Sequence, residues 1–215
     1  DEFEIGINAL RAAKMKGVEL CVYHSVFHPQ ISLMPHQWNK HRVEEAIFTS
    51  RINYAILQPT AYMQNLLAYW PRILNEGVYR LPYSAQTRIS MVDIEDIAKV
   101  VVQVIDQSNY WGGTYELVGT GPMTQDEVAK TIEHVISKPV RYEALPRSEW
   151  EETVRKTGMN EYSIQTLLKM FEYYERLRAD LITTRAADET FKTYFTADEL
   201  KNVKNYASMI DSFIR

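Results

Sequence analysis

Apolar residues recur at two spacings along the chain, and the switch between them marks out its elements. Ile5, Ala9, Leu10 and Ala13 follow helical spacing, and Gly17 stands behind them as a C-cap. Residues 18–23 are β-prone and end at the polar His24 and Ser25, with Pro29 beyond, so helix, strand and loop follow in that order. From Pro35 helical spacing returns, with Trp38, Val43, Ala46 and Ile47 apolar and Lys40, Arg42, Glu44 and Glu45 polar. Tyr54-Ala55-Ile56-Leu57 then reads as a second buried strand, ended by Pro59.

Two apolar strands joined through a helix predict a right-handed parallel crossover, because a tight hairpin cannot join parallel neighbours. Ile94, Ile97, Ala98, Val101, Val102 and Ile105 predict a helix buried along one side, with Asp93 as its N-cap. Gly112-Gly113 then turns the chain into a strand at 115–118. Past Pro122 the composition shifts. Thr124 with Glu127, Ser148 with Glu151 and Thr196 with Glu199 each have capping-box spacing and predict a helix start, while 140–145 alternates as a half-exposed strand does. The expectation is an α/β chain: a parallel sheet with flanking helices over residues 1–120, and a smaller, mainly helical α+β domain over 121–215.

With 46% hydrophobic and 24% charged residues, the chain has enough apolar material for packed cores, which excludes a disordered polypeptide. The net charge of −4 and the scattered Lys and Arg leave no basic footprint, so direct nucleic-acid binding is not expected. A single cysteine, Cys21, has no partner for a disulfide within the chain and sits in a strand, which suits a reducing compartment. No apolar run approaches a membrane span and no signal-peptide pattern opens the chain, so no membrane partner and a cytoplasmic location are expected. The first residue is Asp1, not Met, and the first helix reads as the tail of a longer one; the start is expected to be a cut.

Candidate chemistry concentrates between residues 24 and 65. His36 and Lys40 lie four apart on one helix, so a titratable imidazole and an ammonium share a face and both can touch a bound molecule. The same spacing describes a solvated face on which Lys40 pairs with Glu44. Exchange of Lys40 for Ala at an exposed helix position is expected to cost only a few tenths of a kcal/mol of stability, and a large loss would mark the lysine as structural. His24, His28, His36 and His41 are close in sequence, but Pro29 breaks the geometry of the one pair four apart, His24 and His28, loop and cap roles explain them, and no metal is expected. Gln58-Pro59-Thr60-Ala61-Tyr62-Met63-Gln64-Asn65 follows a buried strand directly, the place where open α/β sheets bind ligands, and Ser25 ends the preceding strand. These residues line a pocket, or they are turn formers over a core. Tyr62, Tyr69, Trp70, Tyr79 and Tyr83 add an aromatic wall that suits a planar acceptor or ordinary packing.

Several local strings resemble the NmrA-like family of atypical short-chain dehydrogenases/reductases. They are Tyr23-His24-Ser25, the Lys-bearing helix 38–46, Ile56-Leu57-Gln58-Pro59 with the Tyr62-Met63-Gln64-Asn65 turn, Met91-Val92-Asp93-Ile94-Glu95-Asp96-Ile97-Ala98, and Thr114-Tyr115-Glu116-Leu117-Val118-Gly119. The resemblance implies part of a Rossmann-type sheet. It matches Lys40 to the lysine that holds the nicotinamide ribose and puts His36 where short-chain dehydrogenases carry a catalytic Tyr. Ser25, Gln58, Pro59, Thr60, Tyr62 and Asn65 would then line the cofactor site.

No glycine-rich phosphate turn occurs among the 215 residues. The resemblance therefore implies NADP or NAD as cofactor, with the preference set by residues outside this chain, and weak or no dinucleotide binding by these residues alone. The implied function is an NAD(P)H-dependent oxidoreductase reducing a small quinone-like or conjugated carbonyl acceptor. Two alternatives stay open. One is an NAD(P)-binding redox sensor and transcriptional regulator acting through a regulatory protein partner or a homo-oligomer without turnover; the other is an inactive fragment.

Overall fold

The computed structural model describes residues 2–176 and 206–214. In chain order these form α1 (Glu2–Met15), β1 (Leu20–His24), α2 (Pro35–Thr49), β2 (Asn53–Pro59) and β3 (Ala61–Tyr62). A 3-10 segment (Met63–Tyr69) leads to α3 (Trp70–Glu76), β4 (Val78–Leu81), β5 (Arg88–Ile89), β6 (Met91–Val92) and α4 (Ile94–Asp106). After β7 (Thr114–Leu117) come β8 (Met123–Thr124), α5 (Gln125–Ile136), β9 (Arg141–Ala144), α6 (Arg147–Lys156), α7 (Glu161–Arg176) and α8 (Tyr206–Ile214).

The expected crossover is present. β1 and β2 pair in parallel from Leu20 opposite Asn53 to His24 opposite Leu57, and β2 pairs in parallel with β7 on its other side, giving the order β1-β2-β7. Having a neighbour on each side, β2 buries Ala55, Ile56 and Leu57 completely, while no residue of β1 is fully buried. α1 ends where Gly17 takes φ +64°; Val18 N–H then donates to Ala13 O and Gly17 N–H to Lys14 O, a Schellman closure that needs the left-handed residue. α2 lays Val43 and Ile47 on Ile56, with Phe3, Leu10, Tyr23 and Tyr54 around them.

The contacts divide the chain into two interleaved units. One comprises the chain up to Thr60 with Glu95–Leu117, the other Ala61–Ile94 with the described residues from Val118 on. The chain leaves the first unit for the last time after Leu117, and 61–94 sits with the second. That second unit has a parallel pair of its own, β4 with β9, and a core of Met63, Leu66, Ile73, Leu81, Val128, Ile132, Met209 and Ile210 among others. α5 opens on the expected capping box: Thr124 Oγ1 accepts from Glu127 N–H at 3.1 Å and Glu127 Oε2 from Thr124 N–H at 2.7 Å.

Three expectations change. The α4 stripe is Ile97, Val100 and Val104, leaving Ile94, Val102 and Ile105 exposed; eight of its thirteen residues are apolar, so periodicity alone does not choose a face. α6 begins at Arg147 with Pro146 as its cap, so Ser148 lies inside the helix, and Glu151 pairs with Arg155 instead. Trp38 stays exposed, its ring tilted against that of His41 with centroids 5.1 Å apart, while Gln37 and Glu44 occupy the inward face of α2. The residue directly preceding α4 is Asp93, where the cap was expected; its Oδ1 accepts from Gln64 Nε2 at 2.9 Å, and Gln64 Oε1 takes the Ile94 N–H. The box at Thr196 and Glu199 lies outside the described residues.

Candidate active site at the strand crests

Beyond the carboxyl end of β1 the backbone keeps following β2. Ser25 N–H donates to Leu57 O and Phe27 N–H to Pro59 O, each at 2.8 Å, so the segment after His24 runs along the crest of the sheet. This places the Ser25 hydroxyl inside the protein, 2% exposed, with no hydrogen-bond partner for Oγ among the described residues. The first turns of α2 cover the same segment. Gln37 Nε2 donates to Phe27 O at 3.0 Å, and neither Gln37 Oε1 nor His36 Nδ1 has a hydrogen-bond partner among the described residues. Buried polar atoms are ordinarily satisfied, so three orphans on one connecting stretch are unusual in a core and ordinary where a ligand docks.

Lys40 ties α2 to the end of β1. Its Nζ donates to His24 O at 3.0 Å and to Glu2 Oε1 at 2.9 Å, and it lies 5.4 Å from the centroid of the Tyr23 ring. Tyr23 OH donates to the same Glu2 oxygen at 3.2 Å. Burial, with Glu2 next to it, pushes the Tyr23 phenol well above its ordinary value. Burial first and the Lys40 ammonium second hold both His36 and His24 below the ordinary imidazole range, so both rings are neutral at pH 7. His28 is also held down by burial, against the opposing pull of Glu116, whose Oε1 is 3.9 Å from Nε2.

Lys40 does not pair with Glu44. The Glu44 carboxyl is buried and accepts from Gln58 Nε2 through both oxygens, at 2.9 and 3.1 Å. The Gln58 amide, expected to face a cofactor, is thereby committed to α2. Thr60 is buried, its N–H and hydroxyl both donating to Leu117 O. Pro59 contributes its carbonyl to Phe27. Ser25, His36, Lys40, Gln58, Pro59 and Thr60 all belong to the first unit, at the ends of β1 and β2. Tyr62 and Asn65 belong to the second: Tyr62 sits in β3 opposite Val92, its phenol raised by burial, and Asn65 is exposed on the 3-10 segment. Gln37 and Glu44 were not anticipated as site residues. Their signal was spacing, since 37, 40, 44 and 47 recur at three and four as an apolar stripe would. Among the described residues no group of three or more His, Cys, Asp or Glu is placed to hold a metal ion, and no helix is long and apolar enough to cross a membrane.

Parallel strands wound with helices, carrying a polar crest at their carboxyl ends, define a Rossmann-like α/β protein. The chain belongs to the NmrA-like family, which it matches over residues 1–207. It is 28% identical over 170 residues to an NAD(P)H azoreductase of Xenophilus azovorans, an alignment covering 75% of this chain and 56% of that protein. Among solved structures it resembles an NADPH-dependent quinone oxidoreductase of Escherichia coli complexed with NADPH (TM-score 0.78, 21% identity, 98% of this chain and 71% of that one). It also resembles NmrA, a negative transcriptional regulator, in complex with NADP (TM-score 0.67, 17% identity, 98% and 69%). The chain spans about half the length of the curated relatives it matches.

Proposed function

We propose that this chain supplies the nicotinamide-side crest of an NAD(P)H-dependent oxidoreductase that reduces a small quinone-like or conjugated carbonyl acceptor. The observation that carries this reading is the Lys40 ammonium held at the end of β1 by His24 O, beside the buried, unpartnered Ser25 hydroxyl. His24 O and Glu2 engage two of the ammonium's three N–H groups, leaving one for a ligand. Lys40, Ser25 Oγ, His36 Nδ1 and Gln37 Oε1 together mix donors and acceptors, which fits a ligand end bearing hydroxyls and an amide, as a nicotinamide riboside does. No glycine-rich turn accompanies them, so the fit extends to that end of a dinucleotide and not to its phosphates.

When bound, NADP or NAD supplies the hydride chemistry. Lys40 and Ser25 hold the sugar side, Pro59 and Thr60 fix the floor beneath it, and His36 faces the acceptor. Because its pKa is held low, His36 accepts a hydrogen bond at neutral pH and donates a proton only under acid conditions, which makes the proton delivery of the reduction acid-favoured. Tyr62 and Asn65 join this reading through the resemblance, as further cofactor contacts. A cytoplasmic location and a soluble acceptor belong with it.

The test is loss of reduced-nicotinamide absorbance by the whole protein against a broad panel of quinones. If the whole protein binds dinucleotide but oxidises it with no acceptor, the reductase reading fails. A regulator that senses dinucleotide redox state through a protein partner or a homo-oligomer then stands, a reading favoured by the neutral His36 in place of a catalytic Tyr. Equal affinity for the oxidised and reduced forms would remove that second reading.

A further inference from the structure

Three inward positions of α2 each grip a different point of the crest. Gln37 holds Phe27 O, Lys40 holds His24 O and Glu44 holds the Gln58 side chain at the end of β2. The apolar contacts of the same helix, Val43 and Ile47 on Ile56, are non-directional and would tolerate sliding along the sheet; hydrogen bonds would not. Of the three grips, the one at Glu44 is the most enclosed. The residue is 3% exposed, and Gln58 is the only hydrogen-bond partner of its carboxyl among the described residues. A carboxyl buried so deeply is costly to leave without its partner, so the pair acts as a peg whose position is not negotiable.

We infer that Glu44 is a positioning residue: through Gln58 it sets where α2 stands along the sheet, and so where Lys40 and His36 stand at the crest. For the identity of what the crest holds, this rests on the function proposed above; the geometry does not. Lys40 precedes Glu44 by one helical turn and is rigidly coupled to it, and a helix that shifts even part of a turn carries its ammonium away from His24 O. Neither Glu44 nor Gln58 touches the ligand in this assignment. They act by holding the groups that do.

The experiment follows the His36 imidazole by NMR titration in the full chain, without dinucleotide. Lys40 is one of the two causes that hold this ring below its ordinary value, so the titration midpoint reports whether the ammonium is in place. Gln58→Leu removes the peg without changing formal charge, and the midpoint is expected to rise toward its ordinary value. The exchanged pair Glu44→Gln with Gln58→Glu rebuilds an amide–carboxyl peg in reverse and is expected to restore it. Glu44→Asp keeps the charge but shortens the reach, so a smaller rise is expected, and this variant decides the matter should Gln58→Leu not fold. A rise rescued by the exchange supports the assignment. A midpoint unmoved in the folded variants, with only a lower Tm, overturns it and leaves Glu44 a purely structural residue. A downward move also overturns it, since displacing the ammonium can only relieve the ring. Because no dinucleotide is involved, failure here is distinct from failure of the oxidoreductase reading, which shows as absent turnover in the whole protein.

Discussion

Exchange of Lys40 for Met keeps the aliphatic stem and removes only the ammonium, which isolates what the charge does. Three interactions are lost, made by a side chain still 22% exposed: the hydrogen bond to His24 O, the ion pair to Glu2 and the cation–π contact with the Tyr23 ring. A hydrogen bond from a charged donor contributes about 1.5 kcal/mol or somewhat more, and an ion pair this accessible to solvent no more than about 1 kcal/mol. Part of the first is recovered as water reaches the freed carbonyl. The expected cost is about 1–2 kcal/mol, which lowers Tm by roughly 2–8 °C in a chain of this size and exceeds the few tenths expected of a free surface lysine. The His36 midpoint rises but stays below its ordinary value, because burial, the larger cause, remains. In the whole protein dinucleotide binding weakens about tenfold, equivalent to about 1.4 kcal/mol. Scanning calorimetry, NMR titration and a binding isotherm read the three effects separately. Unchanged binding beside an unchanged His36 midpoint would refute the placement of the ammonium, and a loss of Tm twice as large would mean that Lys40 is chiefly structural.

Two further outcomes follow from features on the same sheet and its neighbour. His24, His28 and His36 are all held below the ordinary imidazole value, so below about pH 6.5 the unfolded chain binds more protons than the folded one. The stability these rings contribute is present above that value and is lost as pH falls from it through the lowered folded values; Tm measured from about pH 7.5 to 5.5 should decline, and a rise would contradict the burial of these rings. At Gly119 an added Cβ would stand 2.7 Å from Met91 O and 2.9 Å from Val92 Cα, both backbone, where Thr120 N–H also donates to Met91 O. Gly119→Ala should therefore cost about 1–3 kcal/mol in urea denaturation, and a neutral result would show that the β6 backbone yields.

The parts of the fold legible from sequence are those where one local rule acts without a competitor. The apolar runs at β1 and β2 gave strands because nothing but a parallel sheet accommodates continuous apolar segments separated by a helix, and the Thr124 box predicted α5 because its two hydrogen bonds are made within four residues. α4 was legible as a helix but not in orientation, since Val100 and Val104 compete with Val101 and Ile105 for the same inward role and only tertiary contact chooses. β4 escaped because its partner β9 lies some sixty residues downstream, and a four-residue strand carries little signal alone. At the candidate site, Ser25, His36 and Lys40 were legible through local strings and spacing. The pairing of Glu44 with Gln58 was not, because a buried Glu looks in sequence like the solvated Glu45 beside it.

The interleaving of the two units bears on how the chain is made. β1 and β2 leave the ribosome one after the other, but the third strand of their sheet, β7, is synthesised only after residues 61–94 of the other unit have already emerged. During that interval the Leu57 to Pro59 flank of β2 stands bare beside nascent chain, so the growing polypeptide must carry an open ladder until Leu117 is released.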